Sequence, residues 1–166
     1  MSNLLNVSSQ LDQFLRELMN LIPEFYTNGF GKNFVDLVPG RSESEDIQIG
    51  LDEFCENLLI EKLRKTDCSI RLFSEHIQTD IGNSEKTDYF ITCDPFDGSG
   101  HYMRGLPAEW WTVLTVWDSK SSTPVWACAA DFIRKELYFA DSNGVTLELY
   151  STGEIFNINP STDTKV

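Results

Sequence analysis

Residues 89–100 read YFITCDPFDGSG: a short apolar strand that runs into two carboxylates, a proline, two glycines and a hydroxyl. Pro95 and Gly98 would suffice to set the dihedrals of a turn, but a turn has no need of Asp94 and Asp97 three residues apart beside Ser99. All-oxygen ligand sets of this kind suit hard cations such as Mg2+. Pro95 fixes the chain so that Asp94, the Phe96 carbonyl and Asp97 can face one side. Gly98 frees the backbone, and the N–H groups of Gly98 and Ser99 can open a short helix as an anion site. With 26 acidic residues in the chain, an Asp-x-x-Asp pair also reads as a solvated turn, and the Ser99 hydroxyl as a helix cap.

Working outward, Leu11, Phe14, Leu15, Leu18, Leu21 and Ile22 recur at helical spacing and predict an amphipathic helix over 9–27, ending near Asn28 and Gly29. Asn33 to Ser44 has no period and reads as a mobile polar loop. Phe54, Leu58, Leu59 and Leu63 mark a second helix over roughly 46–65, closed by basic residues that suit its C-terminal dipole. Glu53 and Glu56 on it read as a solvated face. Strand patterns then follow at residues 69–73, 89–93, 110–117, 124–130, 136–140 and 145–150, separated by turn residues such as Asn143 and Gly144. Helices first and strands later predict an α+β fold: an antiparallel sheet of about six strands packed against two long helices. Trp110, Val113, Val116, Val125, Phe132, Leu137 and Phe139 are the expected core of the sheet. Residues 1–150 read as a single domain and 151–166 as a C-terminal tail.

A chain of 166 residues, 41 % of them apolar, is long enough to bury a core. Its net charge of −13 disfavours nucleic acid and anionic membrane surfaces as partners. Cys55, Cys68, Cys93 and Cys128 have no CxxC spacing, the first residues lack the pattern of a signal peptide, and no apolar run approaches the roughly 18–20 residues of a membrane span. These features predict free thiols and a cytoplasmic protein.

The acidic spots fall where elements end: Asp52 in the second helix, Glu75 just after the strand at 70–73, and Asp94 with Asp97 after the strand at 89–93. LFSEH at 72–76, followed by YFITCDPFDGSGHYMRGLP at 89–107, resembles the inositol monophosphatase family within the lithium-sensitive, fructose-bisphosphatase-like phosphatases. Those proteins carry a G/S-E-E motif and then an apolar strand entering D-P-[ILF]-D-G-[TS]. The likeness extends over most of residues 9–150, with the DPFDGS stretch its most specific part.

The resemblance implies a Mg2+-dependent phosphomonoesterase, with two or three ions, that hydrolyses a small phosphorylated substrate such as an inositol or sugar phosphate. By position, Glu75, Asp94, the Phe96 carbonyl and Asp97 hold the metal, and Gly98 and Ser99 amides bind phosphate. Ser99 and Asp52 orient the attacking water, with Glu75 counted among the catalytic groups. The pattern also departs from the family. His76 replaces the second acidic residue of the G/S-E-E motif, His101 replaces an Asn, and Asp46-Ile47-Gln48-Ile49-Gly50-Leu51-Asp52 keeps an aspartate spacing but loses a Thr. Neither histidine is assigned to the metal. Family chains are about twice as long and take a further metal-binding Asp from a W-D-x-[AG]-[AG] motif. Trp117 and Asp118 lead instead into Ser119, Lys120 and Ser121 of a hairpin. The chain therefore reads as the N-terminal half of a longer or split enzyme, its partner the missing C-terminal half, with a homodimer left open.

Two other readings compete. A non-catalytic or regulatory module would keep the fold without the chemistry. A haloacid-dehalogenase-type phosphatase needs one residue between its two aspartates where this chain has two, and it needs alternating strands and helices that the sequence lacks.

Overall fold

The computed structural model describes residues 2–37, 47–82 and 85–158, and Asp46 and the loop at 38–44 lie outside them. Among the described residues are three helices, α1 (Ser2–Asn28), α2 (Gly50–Leu63) and α3 (Ser99–Met103). Strands β1 (Phe34–Leu37) and β2 (Ile47–Ile49) pair with each other. The main sheet contains β3 (Ile70–Phe73), β4 (Gln78–Ile81), β5 (Tyr89–Asp97), β6 (Trp111–Asp118), β7 (Thr123–Asp131), β8 (Glu136–Asp141), β9 (Gly144–Leu149) and β10 (Glu154–Ile158). Its order is β10-β9-β8-β7-β6-β5-β3-β4.

The α+β class and the helix-backed sheet match the sequence expectation, with eight strands in place of about six. The added strands are β4 and β10, both short and both at an edge, where half the backbone groups need no partner and the side-chain pattern is correspondingly weak. β10 extends the sheet into the segment read as tail. The second helix begins at Gly50 and not at 46, because Ile47 and Ile49 alternate as buried residues of an extended strand, Ile49 having φ −115° and ψ 167°. Part of the predicted polar loop forms β1, against which β2 lies antiparallel.

Helix α1 buries Val7, Leu11, Phe14, Leu15, Leu18, Met19 and Ile22 at helical spacing. Each such Leu or Phe contributes about 1.5–3 kcal/mol relative to exposure. Pro23 lies inside the helix and has no N–H to offer the Met19 carbonyl. The Lys135 ammonium supplies the missing donor at 2.9 Å, and burial there lowers the lysine's pKa. Arg16 anchors the same helix to β9 through two 2.7 Å bonds to Glu148, while its Nε donates to Asp12 at 3.0 Å. That pairing raises the pKa of Arg16. Helix α2 packs on α1 and against β5 through Leu51, Cys55, Leu58, Leu59 and Leu63.

Among the described residues all strand pairs are antiparallel except one: β3 and β5 run parallel, with Phe73 opposite Thr92. The exception follows from β4, which turns back on β3 and takes the sheet edge, so that the returning chain enters on the other side of β3 in the same direction. Parallel pairing sends the C-terminal ends of β3 and β5 to one edge. The ladder ends at Phe73 and Thr92, and the next two residues of each chain are Ser74 and Glu75 on one side and Cys93 and Asp94 on the other.

Candidate active site

Asp52, in the first turn of α2, is 3 % exposed and uses both carboxylate oxygens. Oδ2 accepts the Ile49 N–H at 2.7 Å, which satisfies a donor that the start of the helix would otherwise leave unpaired. Oδ1 accepts the Ser99 hydroxyl. Burial drives the Asp52 pKa up to about 7 against the lowering effect of these two bonds, and the charges of Asp94 and Glu56 raise it further.

Ser99 opens α3 and is buried, with its Oγ also 3.3 Å from the Phe96 carbonyl oxygen. Gly98 precedes it at φ 110° and ψ 17°, and a Cβ there would run into the Glu109 carbonyl oxygen and come within 3.0 Å of the Trp110 ring. Only glycine suits the position, which gives a steric reason for Gly98 in the turn. Between Asp94 and Asp97 the β5–β6 register slips, and this bulge turns the strand end aside. The Phe96 N–H donates to Asp94 Oδ1 at 3.2 Å, and Thr112 Oγ1 donates to the Pro95 carbonyl at 2.6 Å. Phe96 itself is 2 % exposed, stacked on Phe132 and edge-on to Tyr102, so core packing fixes the peptide whose carbonyl was assigned to metal. Asp97 is exposed.

Glu75 follows β3, with His76 Nε2 at 3.9 Å from its Oε2, and the His76 ring is nearly buried. His101 lies 3.9 Å from Glu109 in a more exposed position. Glu56 contradicts the reading of a solvated face: it is 1 % exposed, while Glu53 is exposed as expected. Glu56 Oε1 accepts the Ser74 hydroxyl at 2.5 Å. Oε2 is buried and has no hydrogen-bond partner among the described residues. The signal was in the sequence, since Asp52, Cys55, Glu56, Leu59 and Leu63 share one helical stripe. The side-chain type hid it, because an isolated Glu is rarely buried.

Asp52 and Ser99 are thus in contact, and Asp94 and Glu56 are close enough to act on Asp52 electrostatically. Among the described residues no group of three or more His, Cys, Asp or Glu side chains is gathered closely enough to hold a metal ion. The donor set still fits a divalent cation in chemistry. Hard carboxylate oxygens dominate it, and the charges of Asp94 and Glu56 crowd Asp52, a repulsion that a cation would relieve. A cavity of about 560 Å³ lined by Trp126, Phe139, Thr146 and Asn157 lies on β7–β10, and none of its lining residues belongs to this constellation.

No family model matches the chain. A curated relative, the fructose-1,6-bisphosphatase/inositol-1-monophosphatase of Thermococcus kodakarensis, is 24 % identical over 155 residues, which is 93 % of this chain and 52 % of the relative. Among solved structures, the Thermotoga maritima IMPase superposes with TM-score 0.65 at 19 % identity, covering 93 % of this chain and 55 % of that one. Leishmania major fructose-1,6-bisphosphatase gives 0.63 at 18 % identity, covering 93 % and 54 %. The chain has the inositol monophosphatase fold. It spans about half the length of the relatives it matches. Within that fold, DPFDGS occupies the bulged end of β5 and the start of α3. No helix among the described residues is long and apolar enough to cross a membrane, and Cys55, Cys68, Cys93 and Cys128 are all free thiols.

Proposed function

We propose that this chain carries the ion-binding and water-orienting part of a divalent-metal-dependent phosphomonoesterase of the inositol monophosphatase family, cytoplasmic and acting on an inositol phosphate, a sugar phosphate or a related small monoester. The observation that carries this reading is the buried Ser99–Asp52 pair at the DPFDGS turn. Ser99 donates its one proton to Asp52 and keeps oxygen lone pairs that can accept from a water. Asp52, with its pKa near 7, can hold or release a proton close to neutral pH. The amides of Gly98 and Ser99 would meet phosphate oxygens, and Glu75, Asp94, the Phe96 carbonyl and Asp97 would hold Mg2+. Bound cations would neutralise phosphate charge and acidify a water. Because the relatives are about twice as long, the remaining substrate contacts are assigned to polypeptide outside these residues.

Hydrolysis of p-nitrophenyl phosphate and of inositol monophosphate by the purified protein should require Mg2+ or Mn2+. Ser99→Ala should lower turnover about a hundredfold or more with Mn2+ binding retained. An unchanged rate in that variant sinks the assignment. The half-length match favours a second reading, a non-catalytic module of the same fold, and metal binding without hydrolysis in the complete protein would select it.

A further inference from the structure

Ser74 and Cys93 immediately precede Glu75 and Asp94, and both are half-buried and lead to the buried Glu56. The Glu56 carboxylate accepts the Ser74 hydroxyl at 2.5 Å. The Ser74 side chain also lies within reach of the Cys93 thiol. Ser74 closes its own turn as well, its N–H donating to the Ile77 carbonyl at 2.8 Å. Helix α2 is therefore tied to the ends of β3 and β5 one residue before each proposed ligand. A carboxylate that is 1 % exposed with one oxygen unpartnered is a costly way to fill a helix–sheet interface, and a leucine would fill it more cheaply.

We propose that Glu56 is a positioning residue that, through Ser74 and Cys93, fixes the separation of the β3 and β5 ends and thereby the spacing of Glu75 and Asp94. The consequence for metal binding rests on the phosphatase reading above; the clamp itself does not. Its logic is mechanical. Strand ends beyond the last ladder bond fray: the β3–β5 ladder stops at Phe73 and Thr92, where the chain leaves β3 for a turn, while β5 stays paired with β6 as far as Asp94 and Val113 before its bulge. Backbone pairing alone does not hold Glu75 against Asp94, whereas a side-chain bridge anchored on a buried helix does.

Three variants test this: Ser74→Ala and Glu56→Leu, which remove the bridge, and Glu56→Gln, which keeps an acceptor for Ser74. In the metal-free protein, hydrogen exchange at the Ser74 amide should accelerate about tenfold or more in the first two and stay near wild type in the third. Titration with Mn2+ should show affinity about tenfold or more weaker in the first two, with Glu56→Gln largely rescued. The melting temperature of Glu56→Leu should be unchanged or higher, because a buried carboxyl group with an unpartnered oxygen has been removed. A merely structural glutamate gives the opposite pattern, a lower melting temperature with Mn2+ affinity unchanged, and that result overturns the proposal. Unchanged Ser74 exchange in both bridge-removing variants overturns it too. If the wild-type protein binds no Mn2+, the metal reading fails, and accelerated Ser74 exchange still supports the clamp while unchanged exchange still defeats it.

Discussion

On β6, Thr112, Leu114 and Val116 face the helices and are each 0 % exposed, whereas Trp111, Val113, Thr115 and Trp117 alternate to the other side, where Val113 is 46 % exposed. The same contrast runs across the sheet. Leu72, Ile91, Cys128, Ala130 and Leu137 are covered, while Phe156 and Ile158 lie open on the side of Val113. The open side is not polar. Phe73 and Phe90 meet there at 6.2 Å and Trp111 and Tyr138 at 6.1 Å, and Trp117 Nε1 donates to Thr92 at 3.1 Å. What separates the two faces is the layer of α1 and α2 on one of them. Alternation sorts side chains into two sets, and the position of the helices decides which set becomes the core.

That difference can be broken most severely through Asp52, the carboxylate that the helix layer buries. Its folded pKa of about 7 lies above the ordinary aspartate value of 3.8, so between these values the folded state binds a proton that the unfolded state has lost. Its contribution to stability is complete below the unfolded pKa and is lost as pH rises through the folded one, with a span of about 4 kcal/mol as an upper bound. Urea unfolding of metal-free protein at pH 5 and at pH 8 should show stability falling with pH, and Asp52→Asn should flatten the fall. Parallel pH profiles in the two proteins would mean that the covered side is wetter than the packing implies.

A gentler comparison sets Leu114→Ala against Val113→Ala, neighbours on one strand facing opposite ways. The first should cost about 2–5 kcal/mol, from lost burial and the cavity left behind, and the second under about 1 kcal/mol. Equal losses, read by denaturant midpoints, would show that the Val113 face is covered in solution. The smallest effect is expected at the anchor between layers. Glu148→Gln breaks the bidentate pair with Arg16, whose side chain is 37 % exposed, and should cost about 1 kcal/mol, measured as a midpoint shift that shrinks with added salt.

Much of this molecule was legible from sequence because it rests on local chemistry. The apolar stripe of Leu11 to Ile22 gives α1, the alternation of Trp111 to Trp117 gives β6, and Pro95 with Gly98 gives a break at a strand end. Spacing also put Asp52 on the second helix and Ser99 at the start of a short one. Sequence did not tell which way β6 faces, so Val113 was expected inside, although the preceding residue, Thr112, is the buried one and caps the Pro95 carbonyl. Nor could it show that β3 and β5 run parallel, that Asp52 meets Ser99 across 47 positions, or that Glu56 lies under the Ser74 turn. The reason is one of range. Periodicity and turn chemistry act over a few residues and determine which elements form, whereas register, facing and the meeting of distant carboxylates are set when α2 packs on β5 and the chain returns beside β3, and only the folded structure contains those contacts.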